Sequence, residues 1–266
     1  MIQTMKPVFS FRPGQTPLLL SVPHSGTLLP ADICGSLTPQ ALQLQDTDWY
    51  VDRLYQWVAG LGVGMLVANY SRFVIDLNRP PDNAALYSGH GTGLVPTHCF
   101  DGTPLYRAGM QADESEQKYR LQQFWQPYHT QLRSALEEIR IRFGFAVLLD
   151  AHSIRSEVPA LFEGKLPDLN LGTFRGASAD ADLISACFSA LKRNSEYSAV
   201  LDGRFQGGYI TRNYGRPDEG IHALQLEMAQ SVYMNEQPPV FDPVLAERVS
   251  VVLQDLISTL TQWSPS

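Results

Sequence analysis

The chain has 266 residues, of which 44% are hydrophobic and 18% charged, values that are ordinary for a globular protein with a core. A formal net charge of -7 disfavours nucleic acid as a partner, because an acidic surface repels phosphate backbones. No apolar run approaches the roughly 20 residues that span a bilayer, and no secretory signal is evident. Three widely spaced cysteines without a Cys-x-x-Cys pair predict reduced thiols and a cytoplasmic location.

The first half of the chain alternates short apolar runs with helical patterns. Residues 17–22 are predicted to form a buried strand, and Asp46 with Thr47 is predicted to cap a helix that ends at Gly60. Strands are predicted at 65–70 and 72–77, followed by a loop over 79–109 of a length typical of functional loops. Apolar residues at spacings of three or four then predict a helix over 115–143.

The second half continues the same alternation. The predicted elements are strands at 145–149, 168–172, 209–213 and 222–228, and helices at 179–193 and 245–260. Strands that are apolar on both faces and alternate with helices are typical of a mainly parallel sheet. We therefore expect a single three-layer α/β domain over 1–266, with a mixed, mainly parallel sheet covered by helices on both faces. In such sheets, ligands bind at the carboxyl ends of the strands.

Two histidines follow predicted buried strands, His24 in SVPHSG and His152 in LLDAHS. Imidazole is a common zinc ligand, and two histidines with one carboxylate leave one position open. Either histidine alone is equally consistent with a strand cap that hydrogen-bonds the backbone, but the pair favours a metal site. Asp48 is the predicted carboxylate ligand, because it shares an inward helical stripe with Tyr55, and Asp46 remains a competing candidate.

Other acids have predicted supporting or catalytic roles. Asp52 is predicted to accept a hydrogen bond from a ligand histidine, and Asp150 to point to the same side as His152. Glu227 lies among apolar residues in HALQLEMAQ, where a carboxylate is costly unless it is paired or functional. It is the predicted base that takes a proton from the attacking water, and the alternative is a buried partner of an arginine.

Arginines near predicted strand ends suggest an anionic substrate. A guanidinium group can bind both oxygens of a carboxylate, and a dicarboxylate would need more than one arginine. A surface ion pair is the alternative for any single arginine. The predicted substrate-binding residues are Arg72, Asn78, Arg79, Arg155 and Arg212.

The sequence resembles the N-formylglutamate amidohydrolase family. The resemblance is carried by the following motifs: VPHSG at 22–26, DTDWYVDRLY at 46–55, SRFVIDLNRPPD at 71–82, LLDAHS at 148–153, LPDLNLGT at 166–173, GGYITRNYG at 207–215 and HALQLEM at 222–228. It implies hydrolysis of N-formyl-L-glutamate to glutamate and formate in histidine degradation, with a divalent ion, predicted to be zinc, on His24, Asp48 and His152.

The same resemblance implies a fold similar to zinc carboxypeptidases and aspartoacylases. Those proteins take two ligands from a His-x-x-Glu motif, whereas His24 is followed three residues later by Thr27, so the pattern is absent here. His152 would match their second ligand histidine, and Glu227 their catalytic glutamate. Three alternatives stay open: a related N-acyl amino-acid amidohydrolase, a serine hydrolase using Ser25 or Ser153, and a non-catalytic protein that binds acidic amino acids.

Overall fold

A seven-stranded sheet organises the computed structural model, which describes residues 6–86 and 92–265. The sheet strands are β1 (Phe9–Arg12), β2 (Leu18–Val22), β3 (Gly64–Ala68), β4 (Ala146–Ile154), β5 (Leu169–Gly172), β6 (Ala199–Leu201) and β7 (Ile221–Ala229), in the order β1-β3-β2-β4-β7-β5-β6. Only the β1–β3 and β5–β7 pairs are antiparallel among these strands, so the predicted mixed, mainly parallel sheet is confirmed.

Helices cover both faces of this sheet. They are α1 (Ala31–Ser36), α2 (Val51–Leu54), α3 (Glu114–Arg120), α4 (Gln126–Phe143), α5 (Ala181–Lys192), α6 (Tyr209–Tyr214) and α7 (Pro243–Gln262), and β8 (Met234–Glu236) pairs with β9 (Pro239–Phe241) in a separate hairpin. A single π turn over Leu121–Trp125 joins α3 to α4, which agrees with one long predicted helix. No helix in the described residues is long and apolar enough to cross a membrane.

Alternation along β2 shows how the two cores form. Successive side chains of a strand point to opposite faces. Leu18, Leu20 and Val22 therefore pack with α5 and α7, whereas Leu19 packs with α4 on the other face. All five residues of β2 are buried, as expected for a central strand of a sheet that is covered on both sides.

Three predicted elements differ from the structure. Residues 72–77 form irregular chain with turns instead of a strand, although the apolar residues Phe73, Val74, Ile75 and Leu77 are buried in the core on the α4 face. Residues 209–213 belong to helix α6, where Ile210 and Tyr214 are buried four residues apart. A short apolar run is compatible with either a strand or a helical turn, so periodicity alone could not separate them.

The predicted helix after Asp46 was also wrong in its start and length. Only Val51–Leu54 is α-helical, and a 3-10 helix over Gln56–Leu61 follows. The Asp46 carboxylate accepts a hydrogen bond from the Phe100 backbone N–H at 2.7 Å instead of capping the helix. Asp48 therefore lies in irregular chain before α2, and the helical stripe used to select it does not exist.

Candidate active site

Polar side chains leave β4 and β7 on the sheet face that α4 covers. The odd-numbered residues 147–151 of β4 pack with α5 and α7, so Asp150 and His152 point to the opposite face. The same alternation in β7 directs Gln225 and Glu227 there. In the parallel register, Asp150 lies opposite Gln225 and His152 opposite Glu227. The carboxyl ends of two central strands thus supply a compact buried polar group.

The two histidines are oriented by acidic neighbours. His24 lies two residues beyond β2, and its Nε2–H donates to Asp76 Oδ1 at 2.8 Å. His152 donates from Nε2–H to Asp150 Oδ2, also at 2.8 Å. In both rings the Nε2–H bond to an acid leaves Nδ1 directed to the opposite side, the arrangement in which a carboxylate behind the ring prepares a histidine to bind a metal ion.

Asp48 lies where the two Nδ1 atoms converge. Its Oδ2 is 2.9 Å from His152 Nδ1 and 3.8 Å from His24 Nδ1, and it also accepts from the Ser153 backbone N–H at 3.1 Å. Arg72 Nη1 lies 3.5 Å from the other oxygen, Oδ1.

These three side chains fit a metal ion. His24, Asp48 and His152 are all buried, and one ligand atom from each lies within 4.8 Å of the others. His24 Nδ1 is buried and has no hydrogen-bond partner, which is costly unless something else satisfies it. Two imidazole nitrogens and one carboxylate oxygen, supported by acids behind both rings, match the donor set of a catalytic metal site.

Asp46, the competing ligand, lies outside this group. It accepts from the Phe100 N–H, and its Oδ1 is 3.9 Å from Arg155 Nη2. Burial raises the pKa of Asp46 to about 6, although Arg72 opposes the shift. The geometry therefore favours Asp48 over Asp46 as the carboxylate of the three-residue group.

The charges around the two histidines differ sharply. For His152, burial opposes protonation, but Asp150 and Asp48 outweigh it and raise its pKa well above the usual range. Burial and the positive charge of Arg72 instead lower the pKa of His24. Without an ion, the His152 ring between Asp48 and Asp150 is therefore protonated at both nitrogens. A cation bound at His152 Nδ1 would replace the proton on that atom.

Glu227 is buried beside this group. Gln225 donates from Nε2 to Glu227 Oε2 at 3.1 Å. Burial raises the pKa of Glu227 to about 8, against the opposing charge of His152. A carboxyl group that titrates near neutral pH can both take and return a proton during a reaction, which is a property of general acid–base residues.

A cavity of about 680 Å³, including its open mouth, adjoins these residues. Its lining includes His24, Asp48, Arg72, Asn78, Arg79, Phe100, His152, Arg204, Phe205, Gly208, Gln225 and Glu227. Among the described residues of the chain, Arg155 and Arg212 are not part of the lining. Arg155 faces Asp46, and Arg212 donates to the carbonyl oxygens of Gly207 and Leu86, so their predicted substrate contacts remain predictions.

Asn78 links the cavity wall to the buried acids. Its Nδ2 donates to Asp150 Oδ2 at 3.1 Å, and its Oδ1 accepts from the Ile210 N–H at 2.8 Å. Gly208 packs so closely that a Cβ there would lie 2.4 Å from Asn78 Nδ2. Glycine at 208 therefore allows the start of α6 to approach the site.

Three site residues were absent from the sequence-based prediction. Asp76 is an acid inside an apolar run, the same signal that selected Glu227, and Gln225 lies on the strand face of Glu227. Arg204 carried no local signal. The role predicted for Asp52 is wrong, because Asp76 and Asp150 are the carboxylates that accept the Nε2–H bonds.

The serine-hydrolase alternative finds no support in the hydrogen bonds. Ser153 Oγ bonds to the Tyr233 hydroxyl at 2.7 Å, and Ser25 Oγ is buried without a partner. Within the described chain, neither hydroxyl is hydrogen-bonded to a histidine, the base that would activate it.

Comparisons with known proteins place the chain in one family. A family model described as N-formylglutamate amidohydrolase matches residues 16–234. N-formylglutamate deformylase of Pseudomonas putida is 48% identical over 260 residues, covering 97% of both chains. The enzyme of the same name from Pseudomonas aeruginosa is 47% identical, covering 97% of this chain and 98% of that protein.

One solved structure is similar over nearly the whole fold. The crystal structure of N-formylglutamate amidohydrolase from Ralstonia eutropha JMP134 superposes with a TM-score of 0.81 at 25% identity, covering 94% of this chain and 96% of that one. The fold and the site together define an α/β enzyme in which side chains suited to binding a metal ion lie at the carboxyl ends of the sheet strands. The chain belongs to the N-formylglutamate amidohydrolase family.

Proposed function

We propose that this chain hydrolyses N-formyl-L-glutamate to L-glutamate and formate, using a divalent metal ion. The observation that carries the proposal is the convergence of His24 Nδ1, His152 Nδ1 and Asp48 Oδ2 next to buried Glu227, in a cavity lined by arginines. The relatives at 47% and 48% identity, both named N-formylglutamate deformylase, support the choice of substrate.

His24, Asp48 and His152 would hold the ion, and zinc is the proposed identity because histidine nitrogen and carboxylate oxygen suit it. A bound divalent ion supplies positive charge that polarises the formyl carbonyl and favours attack by water at neutral pH. Asp76 and Asp150 accept the Nε2–H bonds of the two histidines, which orients both Nδ1 atoms towards Asp48, where the ion would bind.

Glu227 is the proposed acid–base residue. It takes one proton from the attacking water as the oxygen bonds to the formyl carbon, and it returns the proton to the amide nitrogen as the C–N bond breaks. Formate and the free amine of glutamate are the products. The Gln225 amide at 3.1 Å holds the Glu227 carboxylate in orientation for both transfers.

Arginines would bind the two substrate carboxylates. Arg79 lies half-buried in the cavity lining and is the best placed of the predicted set. Arg72 is already engaged by Asp76 at 2.7 Å and by Asp48, so we assign it to holding the metal-binding acid. A substrate without a carboxylate would leave an arginine unpaired and would bind more weakly.

The test is formate release from N-formyl-L-glutamate by the purified protein, before and after chelation and after restoring zinc, cobalt or manganese. Activity that is lost on chelation and returns with metal is expected. Glu227→Gln should abolish turnover while retaining bound metal, and Glu247→Gln on the exposed side of α7 is the matched control. Normal turnover by Glu227→Gln would overturn the assignment of the base.

Three wider predictions accompany this function. We infer a cytoplasmic location, since Cys34, Cys99 and Cys187 are all free thiols. A single domain over 1–266 and a place in histidine degradation remain proposals implied by the family resemblance.

A further inference from the structure

The cavity wall contains an arginine that the sequence did not single out. Arg204 follows β6 in the segment that leads to Gly208, and its side chain is exposed at the cavity. Its Nε donates to the Leu161 carbonyl at 3.1 Å, and its guanidinium lies 5.8 Å from the ring of Phe205. The side chain is therefore oriented by neutral groups on both sides.

The three arginines of the cavity lining differ in how their charge is matched. Arg72 is buried against Asp76 and Asp48, so its charge is compensated within the protein. Arg79 donates to Thr92 O at 2.8 Å and Asn78 O at 3.0 Å, which are both neutral acceptors. In the described parts of the chain, neither Arg79 nor Arg204 has a carboxylate within ion-pair distance, although the charge of Arg79 acts on Asp76 at longer range.

Two arginines that form no ion pair in one cavity favour a ligand with two negative charges. This is consistent with a dicarboxylate, and not with an N-formyl amino acid whose side chain is neutral. The protein as a whole has a net charge of -7, so two arginines in one cavity are a local feature and do not follow from the overall charge.

The difference in burial between Arg79 and Arg204 assigns one arginine to each carboxylate. The α-carboxylate of an N-formyl amino acid is one carbon from the scissile nitrogen, whereas a γ-carboxylate is three carbons away. Arg79 directly follows Asn78, whose Nδ2 lies 2.9 Å from His152 Nε2. Arg79 is half-buried, whereas Arg204 is exposed. Arg79 therefore lies deeper in the protein than Arg204, and it is next in the chain to a residue that contacts a proposed metal ligand.

We infer that Arg204 binds the side-chain carboxylate of the substrate and makes the site selective for N-formyl-glutamate over its neutral amide analogue. This inference rests on the proposed function. Arg204 acts in specificity, so its contribution should depend on the charge of the substrate and not on the bond that is cleaved. Losing one hydrogen bond between charged groups corresponds to an effect of roughly 10- to 100-fold on kcat/KM.

The test compares N-formyl-L-glutamate with N-formyl-L-glutamine, which has nearly the same shape but no side-chain charge. Arg204→Met keeps side-chain length and removes the charge, Arg204→Lys keeps the charge, and Arg248→Met on α7 is a matched exposed control. For Arg204→Met, kcat/KM should fall roughly 10- to 100-fold on the glutamate substrate and change by less than about twofold on the glutamine substrate. Arg204→Lys should recover part of the loss, and Arg248→Met should match the unmodified protein.

Other outcomes overturn the inference in distinguishable ways. Equal losses on both substrates, with an unchanged melting temperature, would show that Arg204 does not read the side-chain charge. No loss on either substrate would have the same meaning. If the unmodified, metal-loaded protein hydrolyses neither substrate, the proposed function fails, and the inference fails with it.

Discussion

Replacing His129 with glutamine should remove part of the protein's sensitivity to acid. His129 lies on α4, where its Nε2–H donates to Leu77 O and its Nδ1 accepts from the Tyr214 hydroxyl, both at 2.9 Å. Its ring stacks on Trp125 with centroids 3.7 Å apart. Burial lowers the pKa of His129 to about 3, because a charged imidazole would lose hydration there.

The size of the effect follows from proton binding in the two states. Between about pH 6.5 and about pH 3, the unfolded chain binds a proton at His129 that the folded chain does not, so acid favours unfolding. The contribution of this residue to stability is fully present above about pH 6.5 and is lost as the pH falls towards 3. At about pH 5, this corresponds to about 2 kcal/mol of unfolding free energy relative to about pH 7.5.

Urea unfolding at about pH 7.5 and about pH 5 measures this difference. The decrease in unfolding free energy between the two values should be about 2 kcal/mol smaller for His129→Gln than for the unmodified protein. Lost stacking on Trp125 lowers stability at both pH values and cancels in the comparison. His98→Gln, at an exposed loop position, is the control and should follow the unmodified protein. An equal decrease in the variant and the unmodified protein would refute the reasoning.

Three other substitutions test the site. Asp76→Asn removes the anionic acceptor of the His24 Nε2–H bond and should weaken metal binding about 10- to 100-fold. Competition with a chelator measures this affinity, and an unchanged affinity would argue against His24 as a ligand. Gln225→Met should lower kcat by about tenfold and leave KM and metal content unchanged, because no amide then holds Glu227, the predicted base. A change in KM alone would contradict this prediction. Gly208→Ala places a Cβ 2.4 Å from Asn78 Nδ2 and should lower both the melting temperature and kcat/KM. Gly60→Ala is the control, because a Cβ at Gly60 would meet no atom within 4 Å. Normal activity in Gly208→Ala would show that the contact relaxes at no cost.

Long periodic elements were predictable because their signal is local. The helix pattern over 115–143 and the apolar strands around 145–149 and 222–228 repeat often enough to identify the element without its neighbours. His152 and Glu227 could also be predicted from local patterns: His152 follows a buried apolar strand, and Glu227 is a carboxylate among apolar residues, which is costly unless it is used. The sequence by itself therefore determined the class of fold and the family, and it predicted His24, His152 and Glu227 as members of one site.

Only the tertiary structure decided how distant segments meet. Asp48 had been selected from a helical stripe, yet the chain there is irregular, and its place in the site depends on His24 and on His152 about one hundred residues later. Residues 209–213 became a helix because that turn packs Ile210 against the core. Arg204 carries no local pattern, because an exposed arginine gains its meaning only from the cavity that the folded chain encloses. Local sequence specifies the periodicity of an element and which polar residues would be costly to bury. Contacts between residues far apart in the chain form only when the whole chain folds.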